Sequence, residues 1–146
     1  MKKNIILTLI IIFIDQIIKF FVEKYLDVIT IIPNFFKLTY VKNTGAAFSI
    51  LNNNTLLIIV ITIIVIYMLY KYILKEYETI SYLLMGGIIG NFIDRVFRGY
   101  VVDYLDFKIL GYNFPIFNFA DICIVIGSIL LIIIILKEDK HGINRK

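Results

Sequence analysis

The sequence has no tryptophan, one cysteine and one histidine, and each shortage closes a route. Cys123 sits inside an apolar run and supports neither a disulfide framework nor a thiolate metal site. His141 lies in the polar C-terminal tail, so there is no HExxH zinc helix and no Ser-His or Cys-His pairing within the apolar part of the chain. Without tryptophan, tyrosine must supply the anchors at membrane–water boundaries. A dense basic patch is missing too. The net charge is +4, but the lysines and arginines flank apolar spans, a pattern that suits anionic lipid headgroups and argues against nucleic acid.

What is present is apolar length. Hydrophobic residues make up 60% of the 146 residues and the mean hydropathy is +0.90, with strongly apolar runs at Ile5–Phe13, Leu56–Ile66 and Ile122–Leu136, interrupted only by Thr8, Thr62 and Gly127-Ser128. Crossing the hydrocarbon core takes roughly 20 residues of helix. Four segments qualify, at about 4–24, 55–75, 80–97 and 117–137. We expect a single integral membrane domain. The start, Met1-Lys2-Lys3-Asn4 and an apolar run, is like a signal peptide. That run is too long, no small-x-small site follows, and Asp15 and Lys19 interrupt it, so it reads as a retained first span.

The loops are not simple tethers. Residues 25–54 contain Pro33, the alternating Phe36–Val41 and the turn-forming Asn43-Thr44-Gly45, which predict short strands and a turn. Lys71–Thr79 is short and charged, so spans two and three form an antiparallel hairpin. Residues 98–116 read as a second structured loop, punctuated by Gly99 and Gly111. Lys2, Lys3, Lys71, Lys75 and the lysines and arginine of the tail fall densely on one side. Lys24, Lys37, Lys42, Arg98 and Lys108 are spread over the longer loops. The bias predicts cytoplasmic termini and extracytoplasmic structured loops.

Against this background the acids stand out. Asp15, Asp94, Asp103 and Asp121 lie in or against the most apolar stretches, where a carboxylate costs about 2.5–3.5 kcal/mol even on insertion scales. Asp15 and Lys19 are four residues apart on one helical face and form a natural ion pair, with Gln16 beside them able to bond a neighbouring helix. Gly86 and Gly90 give the small-xxx-small spacing that lets another helix approach. Asn91, Asp94 and Arg98 continue as a polar stripe, with Arg95 as the natural counter-ion for Asp94 or for another acid across the bundle. Asp103 and Asp106 follow among large apolar residues that should dip into the interface. Asn118 is a candidate N-cap, with Asp121 in the first turn, where the helix dipole favours negative charge. The fourth span has no basic residue to pair with Asp121 inside the membrane.

Antiparallel topology places Asp94, Asp103 and Asp121 near one membrane boundary. Two carboxylates held close share a proton, so one can act as base on water while the other acts as acid, with no metal and no histidine. Two other readings stay open. Buried acids also build proton relays in transporters and channels, and Ser49 with Lys42 or Lys19 could form a Ser-Lys peptidase pair.

The blocks Asp15-Gln16-x-x-Lys19, Asn43-x-Gly45-Ala46-Ala47-Phe48, Gly90-Asn91-x-x-Asp94-Arg95, Val102-Asp103-Tyr104 and Phe117-Asn118-x-Ala120-Asp121 resemble, in order and along nearly the whole chain, the signature of lipoprotein signal peptidases (signal peptidase II). Tyr104 stands where phenylalanine is common. The resemblance implies an all-α membrane protein of four transmembrane helices, with a small extracytoplasmic β-cradle in residues 30–54 and a flap at Gly45–Leu51. It implies an aspartyl endopeptidase of the bacterial cytoplasmic membrane, without cofactor or metal, cutting immediately before the diacylglyceryl-modified cysteine of a prolipoprotein lipobox. It assigns catalysis to Asp103 and Asp121. Asp15, Lys19, Asp94 and Arg95 become supports of the site, and Asn43, Gly45, Asn91 and Asn118 line or shape it. The partners so implied are prolipoprotein and membrane lipid, the active site lies near the outer leaflet, and we expect a monomer.

Overall fold

The structure, a computed structural model, describes residues 2–45 and 54–140. Beyond Gly45, the segment expected as a flap lies outside the described residues. Among the described residues, four helices are long and apolar enough to cross a membrane. They are α1 (Lys2–Tyr25), α2 (Thr55–Met68, continued by a π-helical turn over Leu69–Ile73), α3 (Glu78–Phe97) and α4 (Phe119–Lys140). Their isoleucine-rich runs favour strands in water, but lipid offers no partner to backbone N–H and C=O groups. A helix satisfies them within one segment.

The helix α3 is the centre of the bundle. It buries Leu84, Gly86, Gly87, Gly90, Asn91 and Asp94, and α1, α2 and α4 all pack against it. Glycine makes this possible. A Cβ on Gly90 would lie 2.6 Å from Asp15 Oδ2 of α1, and one on Gly87 would collide with the Ala120 carbonyl oxygen of α4. The expected close approach therefore occurs on two sides of α3 at once. By contrast α2 fully buries Ile58 alone and leaves most of its other side chains exposed.

An antiparallel sheet covers one end of the helices. Its strands β1 (Ile29–Ile32), β2 (Phe36–Asn43), β3 (Val101–Ile109) and β4 (Tyr112–Asn113) lie in sequence order. The first two follow the C-terminus of α1, and the last two join the C-terminus of α3 to the N-terminus of α4. Asn43 pairs with Val101, Val41 with Asp103 and Phe36 with Phe107, with an irregularity between Leu38 and Val41. The strand pair in residues 25–54 agrees with the sequence reading. The nine-residue β3 does not, since residues 98–116 read only as a structured loop. Val101, Val102, Asp103 and Tyr104 are all buried, so the in–out alternation that marks a strand is missing from the half nearest the helices. Between sheet and helices, Val22, Val102 and Tyr104 form a small core, packed by Ile18, Leu26, Leu38 and Phe119.

Candidate active site

Two groups of acids meet beneath the sheet, with Asp15, Asp94 and Asp103 buried and Asp121 partly so. The first is held by cations. Lys19 Nζ lies 2.8 Å from Asp15 Oδ2 and 3.0 Å from Asp94 Oδ2, and it donates a third bond, 2.8 Å, to Asn91 Oδ1. An ammonium has three N–H donors, and all are used. Asp94 Oδ1 also accepts from Arg98 at 2.6 Å and from Gln16 Nε2 at 3.0 Å, and Gln16 reaches the Gly90 carbonyl as well. Among the described residues the cations in contact with Asp94 are therefore Lys19 and Arg98, whereas the sequence offered Arg95 for Asp94 or for another acid across the bundle. Residues four apart stack on a helix face and adjacent ones do not. Arg95 instead donates to the carbonyls of Gly45, at 3.0 Å, and Asn91, at 3.4 Å, while its charge acts on Asp121, Asp103 and Asp94.

These paired acids also position backbone. Asp94 Oδ2 accepts the Val102 N–H at 3.1 Å, which fixes the start of β3. Asp15 Oδ1 accepts the Ala120 N–H at 3.1 Å, which fixes the first turn of α4. Asp103 and Asp121 sit one residue beyond these two anchors.

The second group is held by amides. Asp103 Oδ1 accepts from Asn118 Nδ2 at 2.6 Å and Oδ2 from Asn43 Nδ2 at 2.8 Å. Asp121 Oδ1 accepts from Asn91 Nδ2 at 2.7 Å and Oδ2 from the Asn118 backbone N–H at 3.1 Å. The Asp121 N–H returns a 2.9 Å bond to Asn118 Oδ1, so Asn118 and Asp121 form a reciprocal cap at the start of α4. Asn118 thus bonds both carboxylates. Among the described residues, neither acid forms an ion pair with a lysine or arginine.

The direction of each amide is set by a group that can only donate. Lys19 claims the oxygen of Asn91, the Asp121 N–H that of Asn118, and the Gly45 N–H that of Asn43, at 2.9 Å. Each NH2 is left facing a carboxylate. Burial, and then the charge of Asp121, push the Asp103 carboxyl up to about 6, against the opposing effect of Asn43, Asn118 and Lys19. A carboxyl titrating there exchanges its proton near neutrality, as acid–base chemistry needs.

The structure thus brings together Asp15, Lys19, Asn43, Gly45, Asn91, Asp94, Arg95, Asp103, Asn118 and Asp121 in one connected network. Asp106 is outside it, paired with half-exposed Lys37 at 3.2 Å. Ser49 lies outside the described residues, and Lys42 rests over the Tyr100 ring, 4.9 Å from its centroid. Among the described residues no group of three or more His, Cys, Asp or Glu is arranged to hold a metal ion. Sequence reading missed the outer clamp, in which Glu23 accepts from Tyr100 at 2.5 Å, Tyr40 at 3.3 Å and Arg98 at 3.0 Å. Only the four-residue spacing of Asp94 and Arg98 hinted at it.

Four membrane-length helices with an acid cluster under a sheet define a membrane protein with a built polar site, and comparison supplies the family. The family model described as signal peptidase (SPase) II matches residues 7–137. The chain is 46% identical to a lipoprotein signal peptidase of Halothermothrix orenii, covering 94% of this chain and 97% of the relative. It is 41% identical to that of Streptococcus pneumoniae, covering 97% and 99%. Two solved structures, each described as a bacterial membrane enzyme, superpose with TM-scores of 0.90 and 0.84. They are 35% and 37% identical, and cover 100% and 94% of this chain and 94% and 95% of theirs. The chain belongs to the signal peptidase II family of membrane proteases.

Proposed function

We propose that this protein is an aspartyl endopeptidase that removes signal peptides from bacterial prolipoproteins, cutting immediately before the diacylglyceryl-modified cysteine, with Asp103 and Asp121 as its catalytic pair. The observation that carries the reading is Asn118, which holds both carboxylates, one by its side chain and one by its backbone. The relatives' name, lipoprotein signal peptidase, supports the substrate class.

In this mechanism one carboxylate is ionised and takes a proton from water as the oxygen attacks the scissile carbonyl carbon. Its partner, protonated, gives its proton to the carbonyl oxygen, forming a tetrahedral diol. Collapse breaks the C–N bond. The proton taken from water goes to the leaving nitrogen, one diol hydroxyl returns its proton to the partner carboxylate, and the new carboxyl group ends the signal peptide. Asn43, Asn91 and Asn118 hold the pair with N–H donors that stabilise the ionised partner. Asp15, Lys19, Asp94 and Arg95 support the site. Acyl chains would fix the substrate cysteine at the leaflet where the sheet sits, so the acids meet the bond without a deep water channel. The lysine distribution supports cytoplasmic termini and an outer-leaflet site.

The test is cleavage of a lipidated precursor by reconstituted wild type, Asp103→Asn and Asp121→Asn. Both variants should insert and both should lose cleavage, with no effect of chelators on wild type. Ion flux without cleavage would instead favour a proton-coupled transporter.

A further inference from the structure

The far end of the sheet has a composition that the peptidase reading does not use. Burial falls along β3, from the wholly buried Val101–Tyr104 to exposed Lys108 and Ile109. A nine-residue strand spans roughly 30 Å, so its distal half reaches past the helices that cover its first residues. There the Phe35 carbonyl accepts the Lys108 N–H at 2.8 Å, which sets the β1–β2 turn beside the β3–β4 turn. At the tip of the latter stands Leu110, 103% exposed, with φ +51, followed by Gly111 at φ +83. A turn with both central residues in the left-handed region ordinarily carries Asn-Gly. A large apolar residue there has neither conformational preference nor burial to recommend it.

Leu110 is not isolated. Ile31, Ile32, Phe35, Ile109 and Phe114 are also 45–50% exposed. All four residues of β1 are exposed, and β1 is an edge strand, an arrangement that in water invites aggregation. Along the chain before β1, Val28, Tyr25 and Phe21 are exposed as well, the last two on α1, a helix of membrane-spanning length. Lys37, half-exposed and paired with Asp106, and exposed Lys108 flank the tip, as long basic side chains beside an interface do.

We propose that the paired turns at Phe35 and Leu110 form a lipid-inserting tip, so that the sheet lies along the bilayer surface with its distal end in the interface of the leaflet it overhangs. The occupant is the bilayer, because the exposed apolar residues of the sheet follow directly on those of α1, a helix of membrane-spanning length, and Lys37 and Lys108 flank the tip. Insertion by this tip is separate from cleavage, and a catalytically inactive protein would show it equally.

The chain's lack of tryptophan makes the test clean. Leu110→Trp and, separately, Phe35→Trp in the full-length protein each give a single reporter in phosphatidylglycerol-containing vesicles. The expected result is blue-shifted emission, strongly quenched by lipids brominated on the upper acyl chain and little changed by aqueous iodide. Phe35→Trp replaces one aromatic by another, which keeps the test open if Leu110→Trp inserts poorly. Red-shifted emission quenched by iodide would overturn the proposal. So would blue-shifted emission that brominated lipid leaves unquenched, since the tip would then be covered by protein.

Discussion

Asp15 and Asp94 are as deeply buried as Asp103 and Asp121 or more so, yet the two pairs are treated in opposite ways. The first pair touches Lys19 and Arg98 at 2.6–3.0 Å, and its remaining oxygen sites receive backbone N–H groups. Among the described residues the second pair meets only amide and backbone N–H donors. A carboxylate bound to a buried cation has its oxygens committed to a charged partner. One held by neutral donors is positioned without that lock. The difference separates scaffold from proposed chemistry among side chains of the same type.

The largest expected effect follows directly. Asp103→Asn and Asp121→Asn should each reduce cleavage of a lipidated precursor by at least about a thousandfold, the scale of losing an essential acid or base, with the fold retained. Lys19→Met should act first on stability. It leaves Asp15 and Asp94 without their shared ammonium, and breaking a buried pair costs about 3–5 kcal/mol. Unfolding in detergent would measure it. An unchanged unfolding midpoint would erase the proposed contrast.

Asn118→Ala should fall between these. It removes the cap of α4, about 1 kcal/mol, and a donor to a carboxylate, about 1.5–3 kcal/mol. Cleavage should drop roughly 10- to 100-fold, with only modest loss of stability.

A titration sharpens the comparison further. Asp103 is raised to about 6 by burial first and by the Asp121 charge second, against about 3.9 in an unfolded chain. The folded state therefore retains a proton that the unfolded state releases. The stability this contributes is complete below about pH 4 and is lost as pH rises through about 6. Asp121→Asn removes the second cause, so carbon NMR of Asp103 should show a lower midpoint that burial still holds above the ordinary range. No change would mean that the two acids do not sense each other. Least affected should be Lys37→Ala, which breaks a half-exposed pair with Asp106 and should alter stability by no more than ~1 kcal/mol.

The four helices were legible because apolar length is a local property, and the glycine spacing in α3 forecast its close packing. The Asn118–Asp121 cap was legible for the same reason. What sequence hid was long-range. Strand β3 declares itself by pairing with residues some 60 positions earlier, as Asn43 with Val101, and its buried half lacks alternation. Lys19 bonds Asp94 across two helices, which no spacing rule reveals. Of the two partners the sequence offered Arg95, Asp94 or another acid across the bundle, helical periodicity disfavours the adjacent Asp94, and the charge of Arg95 acts first on Asp121 and Asp103. Spacing did not separate Asp103 from Asp106, whereas the structure gives them different surroundings: amides for one, Lys37 for the other.

The most direct measurement of the central claim is cleavage of a diacylglyceryl-modified precursor, beside its unlipidated form, by reconstituted wild type and Asp121→Asn. The expected result is cleavage before the modified cysteine by wild type, on the lipidated form only, and none by the variant. Full activity in Asp121→Asn would contradict the assignment of chemistry to the amide-held pair.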